Sequence, residues 1–154
     1  MSSGPQPGQL YRLRAVGQND SGPELYATHQ GPDRNVIVTP RVDIPDYAVS
    51  RQVWEYLPSG HIRALGAGHP DQSHLRSSSD SFVGLGEPQA LTVLPVNEGG
   101  QQLYTIQGPW RQGVYGANDW FGVRGQDLFI VTRHNVQETG LDRFYWDFVP
   151  ERQY

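Results

Sequence analysis

The chain has 154 residues with 18 glycines, 12 prolines, no cysteine and a net charge of −4. That length buries about 70% of the unfolded surface without metals or disulfides, and the missing cysteine excludes disulfide scaffolds, thiolate nucleophiles and Cys-based zinc sites together. Acids and bases are interspersed and every one of the twelve cationic residues is arginine, so no basic stripe points to nucleic acid.

Met1 to Gly8 has neither a basic head nor an apolar stretch. The expectation is a disordered tail over residues 1–8, no signal peptide and a cytoplasmic protein. No apolar run approaches the roughly 20 residues of a membrane span. From there on, short β-branched or aromatic runs bounded by turn residues predict strands at Leu10 to Val16, Leu25 to His29, Val36 to Thr39, Gln52 to Leu57 and His61 to Leu65. Gly66 to Asp80 then reads as a long Ser- and His-rich insertion. Strands follow at Phe82 to Leu85, Leu91 to Val96, Leu103 to Gln107, either Val114 to Ala117 or Trp120 to Val123, Leu128 to Thr132, and Tyr145 to Val149. Glycine and proline leave no window with helical periodicity, so the fold class is all-β.

Three phrases return at a nearly constant offset. Leu10-Tyr11-Arg12-Leu13 returns as Leu103-Tyr104-Thr105-Ile106, Val36-Ile37-Val38-Thr39 within Leu128 to Thr132, and Trp54-Glu55-Tyr56-Leu57-Pro58 as Trp146-Asp147-Phe148-Val149-Pro150, at offsets of 93, 92 and 92. A degenerate middle copy runs from His61 to Leu65 and resumes at Leu91 to Pro95. Three pseudo-repeats of four strands closed about a threefold axis leave no exposed edge, which predicts a single β-trefoil domain with repeats near 10–58, 61–102 and 103–150. In the middle repeat the closing strand is expected within Asn97 to Gln102. A second register, in which Leu103 to Gln107 closes the middle repeat, reproduces the spacings less well.

Enzyme signatures are missing: there is no Gly-x-Ser-x-Gly elbow, no His-Glu-x-x-His, no phosphate loop and no dinucleotide fingerprint. The expectation is a protein that is not an enzyme and carries no metal or cofactor. His69-Pro70-Asp71-Gln72-Ser73-His74 brings three donor groups together, but on a loop whose ordering costs about 1 to 2 kcal/mol per residue. Gln52-Val53-Trp54 has the Gln-x-Trp form of sugar-binding trefoils in a single copy, and core packing of that tryptophan is the simpler reading. A better sugar candidate is Tyr115, Asn118, Asp119 and Trp120, where a stacking platform adjoins amide and carboxylate groups. Two loops look built for display. One carries Asn19, Asp20, Gly22 and Pro23. The other, Gly31-Pro32-Asp33-Arg34-Asn35, is short and clamped, and it would present Arg34 to the acidic primary pocket of a trypsin-like protease at small ordering cost.

The run Leu10-Tyr11-Arg12-Leu13, the glycine-rich loop after it, Gly22-Pro23-Glu24-Leu25-Tyr26-Ala27-Thr28, Val36-Ile37-Val38-Thr39-Pro40 and Trp54 resemble the mushroom β-trefoil protease inhibitors, the cospin-type inhibitors of serine proteases and the mycocypins of papain-like proteases. The resemblance implies a cytosolic inhibitor with a trypsin-like protease as preferred partner and a papain-like one second. It places the binding loop at Asp33, Arg34 and Asn35, with Arg34 or Asn35 in the primary site. Mycocypin-type inhibition would use the loops between the first and second and between the third and fourth strands, and Gly22-Pro23 stands where that pattern has a glycine pair. A β-trefoil lectin with a glycan partner at Tyr115 to Trp120 is the alternative.

Overall fold

The computed structural model describes residues 5–17, 24–31, 34–66, 72–77, 82–98, 100–109, 118–124, 128–133 and 141–151. Among them lie twelve strands: β1 (Leu10–Gly17), β2 (Leu25–Thr28), β3 (Ile37–Thr39), β4 (Trp54–Tyr56), β5 (Ile62–Ala64), β6 (His74–Ser77), β7 (Val83–Gly86), β8 (Thr92–Glu98), β9 (Gln101–Pro109), β10 (Asn118–Arg124), β11 (Val131–Arg133) and β12 (Leu141–Pro150), with a single short helix, α1 (Asp46–Ser50).

Six strands close a barrel. β1 lies antiparallel to β12 from Tyr11↔Pro150 to Gly17↔Arg143, joining the two ends of the chain. Going round, β1 pairs with β4, β4 with β5, β8 with β9, and β9 with β12. The Leu91 amide, bonded to Gly60 O, bridges the β5 and β8 sides. β9 meets β8, β10 and β12 as β1 meets β12, β2 and β4, so Leu103 to Gln107 opens the third repeat.

The other six strands form hairpins β2–β3, β6–β7 and β10–β11. The hairpins meet in a closed ring of three backbone bonds. Val36 N–H donates to Val83 O (2.7 Å), Val83 N–H to Ile130 O (3.0 Å) and Ile130 N–H to Val36 O (3.1 Å). Bridges Asn35↔Gly84, Phe82↔Val131 and Ile37↔Phe129 flank it. Each ring residue lies 47 positions after the one before, and all three are buried. Three repeats about a pseudo-threefold axis are therefore present in the hydrogen bonding itself, and the fold is a β-trefoil.

The apolar core fills the barrel and runs under the cap. Its matched anchors are Trp54 and Trp146, whose indole N–H groups donate to Ala27 O and Phe121 O, each at 3.1 Å. The acceptors lie on β2 and β10, so each tryptophan ties a barrel strand to its own hairpin. Leu91 takes the corresponding place in the middle repeat, with Gly60 facing it where Tyr11 faces Trp54.

Three expectations are corrected. The Gly66 to Asp80 insertion contains β6, which was expected to be loop: Leu75 pairs with Leu85, and His74, Leu75 and Ser77 are buried. With one aliphatic residue in four, the strand leaves no alternation to read. The strand closing the middle repeat is β8, which begins at Thr92 and not within Asn97 to Gln102. The connection from β3 to β4 holds α1, where Pro45 at the N-cap and Asp46 in the first turn suit a helix start. Five residues are too few for helical periodicity to show.

Equivalent anchors should cost equivalent amounts. Trp54→Phe and Trp146→Phe each remove an indole bond and leave a void, with an expected loss of about 2 kcal/mol apiece. Urea unfolding midpoints compare the pair, and one near-neutral substitution would break the equivalence.

Candidate functional site

Gln52, the polar residue of the Gln-x-Trp sequence, is wholly buried. Its Oε1 accepts from the Val42 amide (2.9 Å) and from Arg12 Nη1 (2.9 Å). Its Nε2 faces three acceptors, Thr39 Oγ1 (2.8 Å), Pro40 O (2.8 Å) and Thr28 Oγ1 (3.2 Å). The amide thus splices the β3–β4 connection to β2 and β1, and it is not available to a sugar. Arg12, also buried, donates through Nε to Glu151 Oε2 at 2.7 Å and through Nη1 to Val42 O at 2.8 Å. A buried guanidinium needs such partners, since desolvating an unpaired charge costs several kcal/mol.

The loop after β2 is held at both ends. His29 is buried with its ring edge-on to Trp54, centroids 6.0 Å apart. Gly31 N–H donates to its Nδ1 (3.2 Å), so Nε2 carries the proton and donates to Leu65 O (3.1 Å). Gly31 has φ 103, which a side chain would strain. Gln30 Nε2 donates to Asn35 O at 2.9 Å, closing the base of the loop. At its far end Asn35 bridges to Gly84, and a Cβ at Gly84 would lie 3.2 Å from Arg34 O. Arg34 is exposed and Asn35 half-buried; Asp33 lies outside the described residues. So do Asn19, Asp20, Gly22 and Pro23 of the first display loop, as well as His69 and Asp71.

Trp120 stands on β10, opposite Arg133 on one side and Gln107 on the other. It is half-buried and meets the Phe144 ring edge-to-face at 6.3 Å and 90°. Between Trp120 and β11 the strand period is clear. Phe121 and Val123 point into the main core, whereas Trp120 packs with Phe82 and Tyr145 against Val131 and Phe144 in a second, smaller apolar cluster. Asn118 and Asp119 precede Trp120 in the same strand, paired through their backbones with Pro109 and Gly108. Their side chains, and Tyr115 entirely, lie outside the described residues. Of the two predicted strands in this stretch, the one containing Trp120 is formed.

Sequence reasoning missed two apolar surfaces. Ile44 and Tyr47, in the β3–β4 connection, are 82% and 72% exposed, although the base of that connection is fixed by Gln52. Phe82 and Phe129 face each other at 5.5 Å with rings 69° apart, and Phe129 is 41% exposed. Leu128-Phe129-Ile130-Val131 is apolar at both parities, the signal that could have flagged Phe129; nothing local marks its pairing with Phe82.

No family model and no curated protein matches the chain. Among solved structures it is similar to the β-trefoil lectin of the Vibrio vulnificus hemolysin/cytolysin with N-acetyl-D-lactosamine bound. The TM-score is 0.63 at 11% identity, over 97% of this chain and 99% of that one. At that identity the likeness carries the β-trefoil fold and nothing finer.

Burial, with the Arg51 charge in the same direction, lowers the His29 pKa against the backbone carbonyls of Leu65 and Ser50. Because the folded state binds this proton less readily than the unfolded chain, His29 contributes fully above pH 6.5, the ordinary imidazole value, and the contribution falls away below it. Thermal midpoints recorded from pH 7 to pH 5 should decline. His29→Gln should flatten that decline; an unchanged pH profile would count against it.

Proposed function

We propose that this protein is a carbohydrate-binding module that takes a sugar on the outer face of its third repeat, at Trp120. The observation that carries the reading is the indole itself: it sits half-buried on a strand, braced edge-on by Phe144, and outside the main core. A braced aromatic surface suits the C–H face of a pyranose, because stacking then costs little side-chain entropy. Asn118, two positions before Trp120 in β10, is the amide-bearing residue at the parity of the indole, whereas Asp119 falls at the parity of the core residue Phe121. The similar trefoil of the Vibrio vulnificus cytolysin is a lectin holding N-acetyl-D-lactosamine, which supports a glycan as partner. Such a site binds and releases its sugar unchanged, so no group in it is assigned a catalytic role.

A glycan array followed by titration calorimetry tests this. Trp120→Ala should lower affinity at least tenfold while the circular dichroism spectrum stays that of wild type. A wild type that binds no glycan, or a variant that binds as well, would sink it.

One observation favours a second reading, inhibition of a trypsin-like protease by the loop carrying Arg34. That loop presents an exposed arginine between two fixed ends, the His29–Gly31 bond and the Asn35↔Gly84 bridge. A preorganised loop loses little entropy on entering an active site, which separates an inhibitor from a substrate. Trypsin assayed with wild type and Arg34→Ala decides it. Inhibition by wild type and its loss in the variant is the expected pair; uninhibited trypsin in the presence of wild type excludes it.

A further inference from the structure

Among the described residues, β8 is the barrel strand with no buried position. Thr92, Leu94, Pro95 and Asn97 are exposed and Val93 and Val96 half-buried, whereas Leu103 to Gln107, opposite them on β9, are all buried. β9 is also its one strand partner among the described residues. The other side of β8 is therefore an edge. Its register with β9 runs without a shift from Thr92↔Gln107 to Glu98↔Gln101, so backbone groups point alternately toward β9 and toward the edge. Two observations fix the phase. Leu91 N–H, one residue before the strand, points away from β9 and donates to Gly60 O. Pro95 has no N–H, and a regular ladder accepts it only where that group would face the edge. Both place Val93, Pro95 and Asn97 on the edge.

The makeup of this edge favours pairing. From Leu91 to Asn97 the run is Leu-Thr-Val-Leu-Pro-Val-Asn, which has no charge and three β-branched residues, and Leu94 is 47% exposed. Neutral, β-prone edges of this kind join to copies of themselves. Laid antiparallel about a twofold axis through position 95, two such edges bring Val93 opposite Asn97 and Pro95 opposite Pro95. The outer pairs keep their donors. The central pair has none, because each copy presents a carbonyl to the other with no N–H between them.

The same residue ends strands elsewhere in the barrel. Pro58 and Pro150 also stand four positions after their anchors, Trp54 and Trp146. β4 has already ended at Tyr56 and β12 ends at Pro150 itself, but β8 continues past Pro95 to Glu98. Here the proline interrupts an edge that the strand goes on to extend.

We propose that Pro95 guards β8 against self-association: the missing N–H at the centre of the edge is what stops this strand from pairing with β8 of a second copy. Restoring that donor completes the ladder and turns the edge into a dimer interface.

Sedimentation equilibrium of the full chain over roughly a hundredfold range of concentration tests this. Wild type should keep the mass of one chain throughout. Pro95→Thr and Pro95→Ala both return the N–H, and each should approach twice that mass as concentration rises, with the circular dichroism spectrum of wild type. Leu94→Lys added to Pro95→Thr should restore the single-chain mass, since a charge on the edge opposes pairing. A wild type that dimerises, or proline variants that keep the mass of one chain over the whole range, overturns the proposal. So does a double variant that still dimerises, because association then uses another surface.

Discussion

Three backbone hydrogen bonds hold the architecture together. The ring through Val36, Val83 and Ile130 joins hairpins that are otherwise far apart in the chain, and each of its amides is buried where no water can replace a lost partner. Because each residue gives its N–H to the next repeat and its carbonyl receives from the other, no repeat can shift along its strand without orphaning a donor and an acceptor. That constraint fixes which residues face inward on every hairpin. The core positions of β2, β7 and β10, the tryptophan acceptors at Ala27 and Phe121, and the outward placement of Phe82 and Phe129 all follow from it.

The first and third repeats were legible because both kept the pattern and its length: a leucine-tyrosine opening, a β-branched strand and a tryptophan. The middle repeat lost its signals one at a time. Leu91 replaces the tryptophan and Gly60 the tyrosine, so the barrel keeps the shape of that anchor with much less volume to recognise. β6 is buried at His74, Leu75 and Ser77, and the apolar residues opposite the last two, Leu85 and Val83, stand on β7. The offset of 92 to 93 between outer repeats also differs slightly from the 94 that separates Val36 from Ile130 in the ring. Small residue insertions are absorbed in the loops between matched positions, where a sequence comparison averages over them.

The role of one polar residue was hidden for a related reason. Gln52, two positions before Trp54, has the form of a sugar-binding sequence, and burial turns its amide inward to serve Arg12, Val42, Thr39 and Pro40 at once. The same network explains why a connection with Ile44 and Tyr47 in solvent is nonetheless anchored. Composition distinguishes neither case, because what decides the role of an amide is whether water or backbone lies opposite it. Trp120 was legible as a residue type, whereas its clustering with Phe82 and Val131 depends on a bridge between those two that spans 49 positions of sequence.

Symmetry and function then divide the molecule in a definite way. Inside the cap the three repeats are interchangeable, since Val36, Val83 and Ile130 do the same work. One residue earlier they diverge into Asn35, Phe82 and Phe129, and with them the surface divides into a polar side beside Arg34 and an aromatic side beside Trp120. A shared ring beneath both sides means either can change without disturbing the barrel, because the bonds that hold the cap are made by backbone atoms and are indifferent to the side chains that stand next to them. The aromatic side carries the cost of exposed phenylalanine, which a folding requirement does not explain when asparagine suffices at the equivalent place.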